Sequence, residues 1–345
     1  MSGIVLSSSV RQNLLSLQST ADLLATTQNR LATGKKVNSA LDNPTNFFTA
    51  SSLDARAGDI NNLLDGIGNG VQVLQAANTG ITSLSKLVDT AKSIANQVLQ
   101  QPSGYSTKAN VDVTGTGAGT SAVLTAANLN AGKLAASVIT FKTSTSTLAV
   151  TFGATFATGS GTGTVSPLDQ LNSVLAANNI TVTAAVSTTA DTLTFTSTND
   201  AASQTITKTG TAPTGAGVDI SGTTTATVGT VNAAVADAVS QATRAGLVSQ
   251  YNQIISQITT TAQDASFNGI NLLNGDSLKL VFNETGKSSS TINGVTFNPG
   301  GLGLAALTSG TDFVDSASAN SVLTKLNTAS TTLRSQASAF GANLS

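Results

Sequence analysis

Between Ile60 and Val98 the apolar residues recur at alternating intervals of three and four. Ile60, Leu63, Ile67, Gly70, Leu74, Ala77, Ile81, Leu84, Val88, Ala91, Ala95 and Val98 follow this rhythm, and only Gly70 brings no apolar side chain. A 3.5-residue repeat keeps one stripe of a helix facing a partner helix along its whole length. The nearest prolines are Pro44 and Pro102, so nothing between them forces a break. The pattern predicts a helix over about 46–101, roughly 80 Å long at about 1.5 Å per residue. Rods of that length belong to assemblies more often than to compact domains. Gly68 and Gly70, each costing about 1 kcal/mol in a helix, read as places of close backbone approach.

Further stripes at the same spacing flank this one. Val10, Leu14, Leu17, Ala21, Leu24, Gln28 and Leu31 predict an N-terminal helix, with Ser8 or Ser9 as cap and polar residues around the rest of its girth. Alone it is marginal and needs a partner. Leu247, Tyr251, Ile254 and Ile258 carry a stripe through Asp264, within a helical pattern resuming near Thr230. Leu323, Leu326, Ser330, Leu333, Ala337, Phe340 and Leu344 carry another, beginning near Asp315. Residues 103–229 read differently. They are rich in Thr, Ser, Gly and Ala, with alternating runs at Val138–Phe141, Leu148–Phe152, Ile180–Val186 and Leu193–Phe195 that predict half-buried strands. Ser166 and Pro167 predict the start of a short helix reaching about Asn178. The fold class is therefore mainly α with a β-rich insert: a long antiparallel helical bundle, a β-hairpin and an inserted, mostly β outer domain. Its parts are an N-terminal helix and link at 1–45, core helix at 46–102, insert at 103–229, and returning core at 230–345 with the hairpin at 278–297.

Composition removes most chemistry. The 345 residues include no Cys and no His, so thiolate and imidazole chemistry is absent, and Glu284 is the only Glu. Charged residues make up 10% and the net charge is −1. That leaves no footprint for nucleic acid or an anionic membrane. No cofactor or metal is expected. No run of 18 apolar residues and no signal peptide is present, which by the usual rules gives a cytoplasmic chain without membrane insertion. Gly115, Gly117 and Gly119 lack the strand–turn–helix context of a phosphate cradle, and Gly286-Lys287-Ser288 lacks the first glycine of a P-loop. Lys35-Lys36 reads as a solvated pair.

Residues 30–44, RLATGKKVNSALDNP, interrupt the helical pattern with turn chemistry. Gly34 is placed to cap a helix, and Asn38, Ser39, Asp42 and Asn43 to build a turn or touch a neighbouring subunit. The run Arg30-Leu31-Ala32-Thr33-Gly34, with Val37 to Ala40 and Asp42-Asn43-Pro44, resembles the N-terminal signature of bacterial flagellins. So do Asn61 to Val71 with Ala76-Ala77-Asn78, and Phe267-Asn268-Gly269 through Gly275, where flagellins leave a helix for a hairpin. Leu333-Arg334-Ser335 through Leu344 is similar to the flagellin C-terminal region.

The resemblance implies a structural protein, not an enzyme: the repeating subunit of a hollow helical filament driving swimming motility. Arg30, Leu31, Gly34, Asn38, Ser39, Asp42, Asn43, Gly70, Phe267, Asn268, Gly269 and Arg334 are then family and assembly positions. Implied partners are further copies of the chain, the flagellar export apparatus and its chaperone, and hook-associated and cap proteins. Export without a cleaved signal replaces the cytoplasmic reading with an extracellular one. Flagellins continue beyond the segment resembling Leu333 to Leu344 into a helix that pairs with the N-terminal one. The chain stops at Ser345, so a truncated form with a poorly ordered first 30 residues is expected. The receptor-contact run of the family, matched by Leu84 to Asp89, has Val88 at one basic position, which implies weak immune recognition. A hook–filament junction protein is the alternative, and a surface adhesin with a glycan-binding insert a more distant one.

Overall fold

The computed structural model describes residues 7–115, 129, 134, 136–152, 162–165, 168–187, 192–214, 216–223 and 226–343. The predicted cap at Ser166-Pro167, the glycines 117 and 119 and the end of the last stripe at Leu344 lie outside them. Two compact units emerge, one from residues 1–73 with 277–293 and one from 74–276 with 294–345.

The first unit begins with helix α1 (Ser8–Thr33). Its N-cap is Ser7, one residue before the predicted pair, and no side chain closes the cap. Gly34 ends the helix in the left-handed conformation, φ 67°, which glycine adopts without a Cβ penalty. Helix α2 (Pro44–Gln100) follows. Pro44 occupies its first position, where a missing N–H costs nothing. Asn43 caps it, the side-chain oxygen accepting from the Asn46 N–H at 3.1 Å. The unit is completed by a hairpin whose strands are given below.

The second unit takes the remainder of α2, where the stripe is fully enclosed. Leu74, Ala77, Ile81, Leu84, Val88, Ala91, Ala95 and Val98 are at most 2% exposed. Val88 thus faces the core. Between α2 and the next helix lies the insert: β1 (Tyr105–Thr107), β2 (Asn110–Gly115), β3 (Val138–Lys142), β4 (Thr147–Phe152), β5 (Thr162–Val165), α3 (Leu168–Ala177), β6 (Val182–Val186), β7 (Thr192–Ser197), β8 (Thr205–Thr207), β9 (Gly217–Thr223), β10 (Ala226–Asn232) and β11 (Val235–Ala236). The strands form sheets ordered β10-β2-β7-β6 and β5-β4-β3-β9-β8, with β1 paired to β11. Phe141 of β3 meets Phe195 of β7 edge-to-face at 5.1 Å, so the two larger sheets share one core. Leu171 and Leu175 of α3 close it.

Helix α4 (Ala238–Asp264) starts later than its sequence suggests. The helical pattern was expected to resume near Thr230, but residues 230–232 close strand β10 instead, because Val231 and Asn232 pair with Val111 and Asn110 of β2. Leu247, Tyr251 and Ile258 of the expected α4 stripe are buried, and at one position Ile255 takes the core place expected for Ile254, which is half-buried. The chain then forms β12 (Ser277–Val281) and β13 (Ser289–Asn293), the hairpin of the first unit. The second strand was expected at Ile292–Phe297. It ends at Asn293, since Gly294 and Val295 turn away to bond Asp276 and Leu272. Helix α5 (Ser316–Ala342) finishes the chain under a capping box of Asp315 and Ser318.

Directions follow from the ends. Arg244, early in α4, reaches the carbonyls of Gln101 and Pro102 just past α2. A Cβ on Gly80 of α2 would lie 2.6 Å from Ala265, just past α4. The two helices therefore run antiparallel, and α5 starts beside Arg244 as well, since its guanidinium donates to the Phe313 carbonyl at 2.8 Å.

Arg244 is the feature that sequence reading missed. It is 1% exposed, and its guanidinium serves three carbonyls, Phe313, Pro102 and, more distantly, Gln101 at 3.5 Å. Its signal was legible: positions 244, 247, 251, 255, 258 and 262 share the 3–4 rhythm, with one charge at the head. Burial lowers its pKa, partly offset by Asp315 and Tyr105. The side chain ties together the points where the chain leaves and re-enters the helical core. Arg244→Met should cost about 3 kcal/mol, because the carbonyls lose a charged donor, measurable by denaturant unfolding.

Tyr251 of α4, packed edge-on against Phe313 at 5.8 Å, is 1% exposed. Burial foremost, then Asp312, pushes its pKa from 10.0 to about 12. A raised pKa contributes stability fully below the unfolded value and loses it as pH climbs through the folded one. Stability should fall by about 2–3 kcal/mol between pH ~10 and ~12. Alkaline unfolding curves of wild type and Tyr251→Phe should diverge in that window.

Candidate assembly surface

Among the described residues sixteen large apolar side chains are exposed, and twelve of them precede residue 65. On α1 they are Val10, Leu14, Leu15, Leu17, Leu23, Leu24 and Leu31, between 45% and 85% exposed. On the link and the front of α2 they are Leu41, Phe48, Leu53, Ile60 and Leu64. No residue of α1 is buried. An amphipathic helix presenting its whole apolar face to water has its binding partner outside the unit that carries it.

The link between α1 and α2 is built by its own polar side chains. The Asp42 carboxylate accepts from the N–H groups of Asn38 at 3.1 Å and Ser39 at 3.2 Å. Those two backbone bonds, first among the causes, hold its pKa below the usual carboxylate value. Thr33 donates to the Asn38 side-chain oxygen at 2.8 Å. The sequence left open whether Asn38, Ser39 and Asp42 fix the turn or touch a neighbour; within the chain they fix the turn. Arg30 and Leu31 stand exposed on the last turn of α1.

Gly70 serves close packing. A Cβ there would lie 2.2 Å from Leu280 Cδ2 of the hairpin, so a side chain at position 70 would have to displace the Leu280 side chain that β12 lays on α2. Glu284 at the hairpin turn reaches Arg56 of α2 at 3.3 Å, an exposed pair of small energetic weight. Gly68 differs from its expectation: nothing lies within 4 Å of a Cβ there, so its absence of side chain answers no contact in the unit.

The remaining family positions belong to the second unit. Phe267 and Ile270 exchange both backbone hydrogen bonds at 3.0 Å. The two central residues have positive φ, 49° at Asn268 and 81° at Gly269, as an Asn-Gly turn of this kind requires. The residue that locks this corner, Asn271, was not singled out from sequence. Its amide donates to the carbonyls of Ala262 at 2.8 Å and Gln263 at 2.9 Å at the end of α4, and its oxygen accepts from Leu273 N–H at 2.9 Å. Arg334 is exposed on α5.

Residues 5–111 match the family model described as the bacterial flagellin N-terminal helical region. Over these residues the chain is similar to the N-terminal helical region of bacterial flagellins. The match spans α1, the link, α2 and the first strands of the insert. No curated protein matches the chain. Flagellins are structural proteins whose subunits form a filament, and the flagellin region here is also where the uncovered apolar faces concentrate. No group of three or more potential metal ligands exists among the described residues, and no described helix is long and apolar enough to cross a membrane.

Gly70→Leu should separate β12 from α2. The expected loss is about 2 kcal/mol or more, of the size of an overpacked site, while Gly68→Leu at an open position should cost nothing. Hydrogen exchange of the 277–293 hairpin amides reports the difference.

Proposed function

We propose that the chain is the repeating subunit of a bacterial flagellar filament used for swimming. The carrying observation is the twelve exposed apolar side chains before residue 65, in the segment that matches the flagellin model. Burial of apolar surface contributes about 25 cal/mol per Å2, so helices of neighbouring copies gain by covering one another. The low charge content supports this reading, because few unpaired charges are then trapped between copies.

The rest follows the family. The subunit leaves the cell through the flagellar export apparatus with a chaperone and without a cleaved signal, and meets hook-associated and cap proteins at the filament ends. It works outside the cell as scaffold and not as catalyst. Self-polymerisation into long filaments distinguishes it from a hook–filament junction protein. Purified protein, dissociated with mild acid and returned to neutral pH, should form filaments visible by electron microscopy. Protein that stays monomeric at all concentrations and salt conditions overturns the reading.

A further inference from the structure

The first unit carries a concave site at the end of α1 and a ridge on α2 whose chemistries match. Thr27, Arg30, Leu31, Gly34, Lys35 and Lys36 line a shallow, open notch of about 390 Å3. Leu31, 85% exposed, supplies its apolar wall, and three cations stand around it. Among the described residues neither Arg30 nor Lys36 forms an ion pair, and Lys35 reaches only Asp54 at 3.9 Å, both side chains well exposed. Asp42, which feels the charge of Arg30, is committed to the N–H groups of its own turn.

The dipeptide Leu-Asp occurs twice on the front of α2, at Leu53-Asp54 and Leu64-Asp65. An eleven-residue spacing is about three helical turns, so both pairs lie on one face. Each leucine is 60% exposed, and Asp65 has no ion-pair partner among the described residues. Asp54 already reaches the notch of its own chain. Asp65 lies about 16 Å further along the same helix, out of reach of that notch. The charge balance has the same polarity: over 8–43 Arg11, Arg30, Lys35 and Lys36 outnumber Asp22 and Asp42 by two, and over 44–73 Asp54, Asp59 and Asp65 outnumber Arg56 by two.

We infer that the notch of one copy receives the Leu64–Asp65 ridge of a second copy, the leucine against Leu31 and the carboxylate between Arg30 and Lys36. This inference rests on the self-assembly reading above and adds a polar register to it. Apolar faces alone slide; a carboxylate that must find a guanidinium and an ammonium fixes where they stop.

A charge swap tests it. Asp65→Lys and Lys36→Asp should each raise the critical concentration for assembly by about tenfold, as expected for one lost charge-assisted contact, with circular dichroism unchanged. The chain carrying both substitutions, and an equimolar mixture of the two single variants, should return to within about threefold of wild type. Moderate salt should weaken wild-type assembly and relieve the single variants. Single variants that assemble like wild type, or a double variant no better than the worse single one, overturn the ridge-and-notch contact while leaving the filament reading intact. Failure of wild type itself to assemble overturns both.

Discussion

The arrangement depends on an apolar stripe that is satisfied over only part of its length. From Leu74 to Val98 every stripe residue of α2 is enclosed, and this burial anchors the unit that also holds α4, α5 and the insert. Before Gly70 the stripe loses its cover: Leu63 and Ile67 are half-buried and Ile60 is 44% exposed. The hydrophobic effect is indifferent to whether the covering surface belongs to the same chain. The enclosed half therefore stabilises the fold, while the open half, together with α1, leaves its apolar side chains exposed.

Polar groups decide the places where apolar stripes cannot. Several helix ends are held by a side chain that satisfies carbonyls or N–H groups left unpaired there. Asn43 does this before α2, Asn271 after α4, and Asp315 before α5, while Asp42 holds the N–H groups of the link itself. Arg244 gathers three carbonyls. Asp315 also accepts from Ser203 of the insert, through both its N–H and its hydroxyl, so one carboxylate caps a helix and fastens the insert to it. These contacts are local or involve a single residue, and they cost little sequence.

Much of this was legible in advance. The 3–4 rhythm marked α1, α2, α4 and α5, and Gly34 and Asp42-Asn43-Pro44 marked the first link, because caps and turns depend on neighbours close in sequence. Four of the insert strands stood out by alternation. Others, such as β2 and β9, were not singled out, since each brings only two apolar residues inward, Val111 with Val113 and Val218 with Ile220, too short a run to stand out in a Thr- and Gly-rich stretch. The start of α4 was placed too early, near Thr230, because only the pairing of Val231 and Asn232 with β2 shows that the strand continues to Asn232.

Periodicity and composition by themselves determined that this chain makes long helices around a Thr- and Ser-rich insert, and that thiol and imidazole chemistry is closed to it. They act through spacing and side-chain type, which survive without knowledge of distant contacts. Tertiary structure alone decided where the stripe is covered and where it is bare. It also assigned Gly70 to Leu280 and left Gly68 idle, and it turned the charge of Arg244 inward. Each of these is a meeting of residues far apart in the chain, and a residue's neighbours in space are not written in its neighbours in sequence.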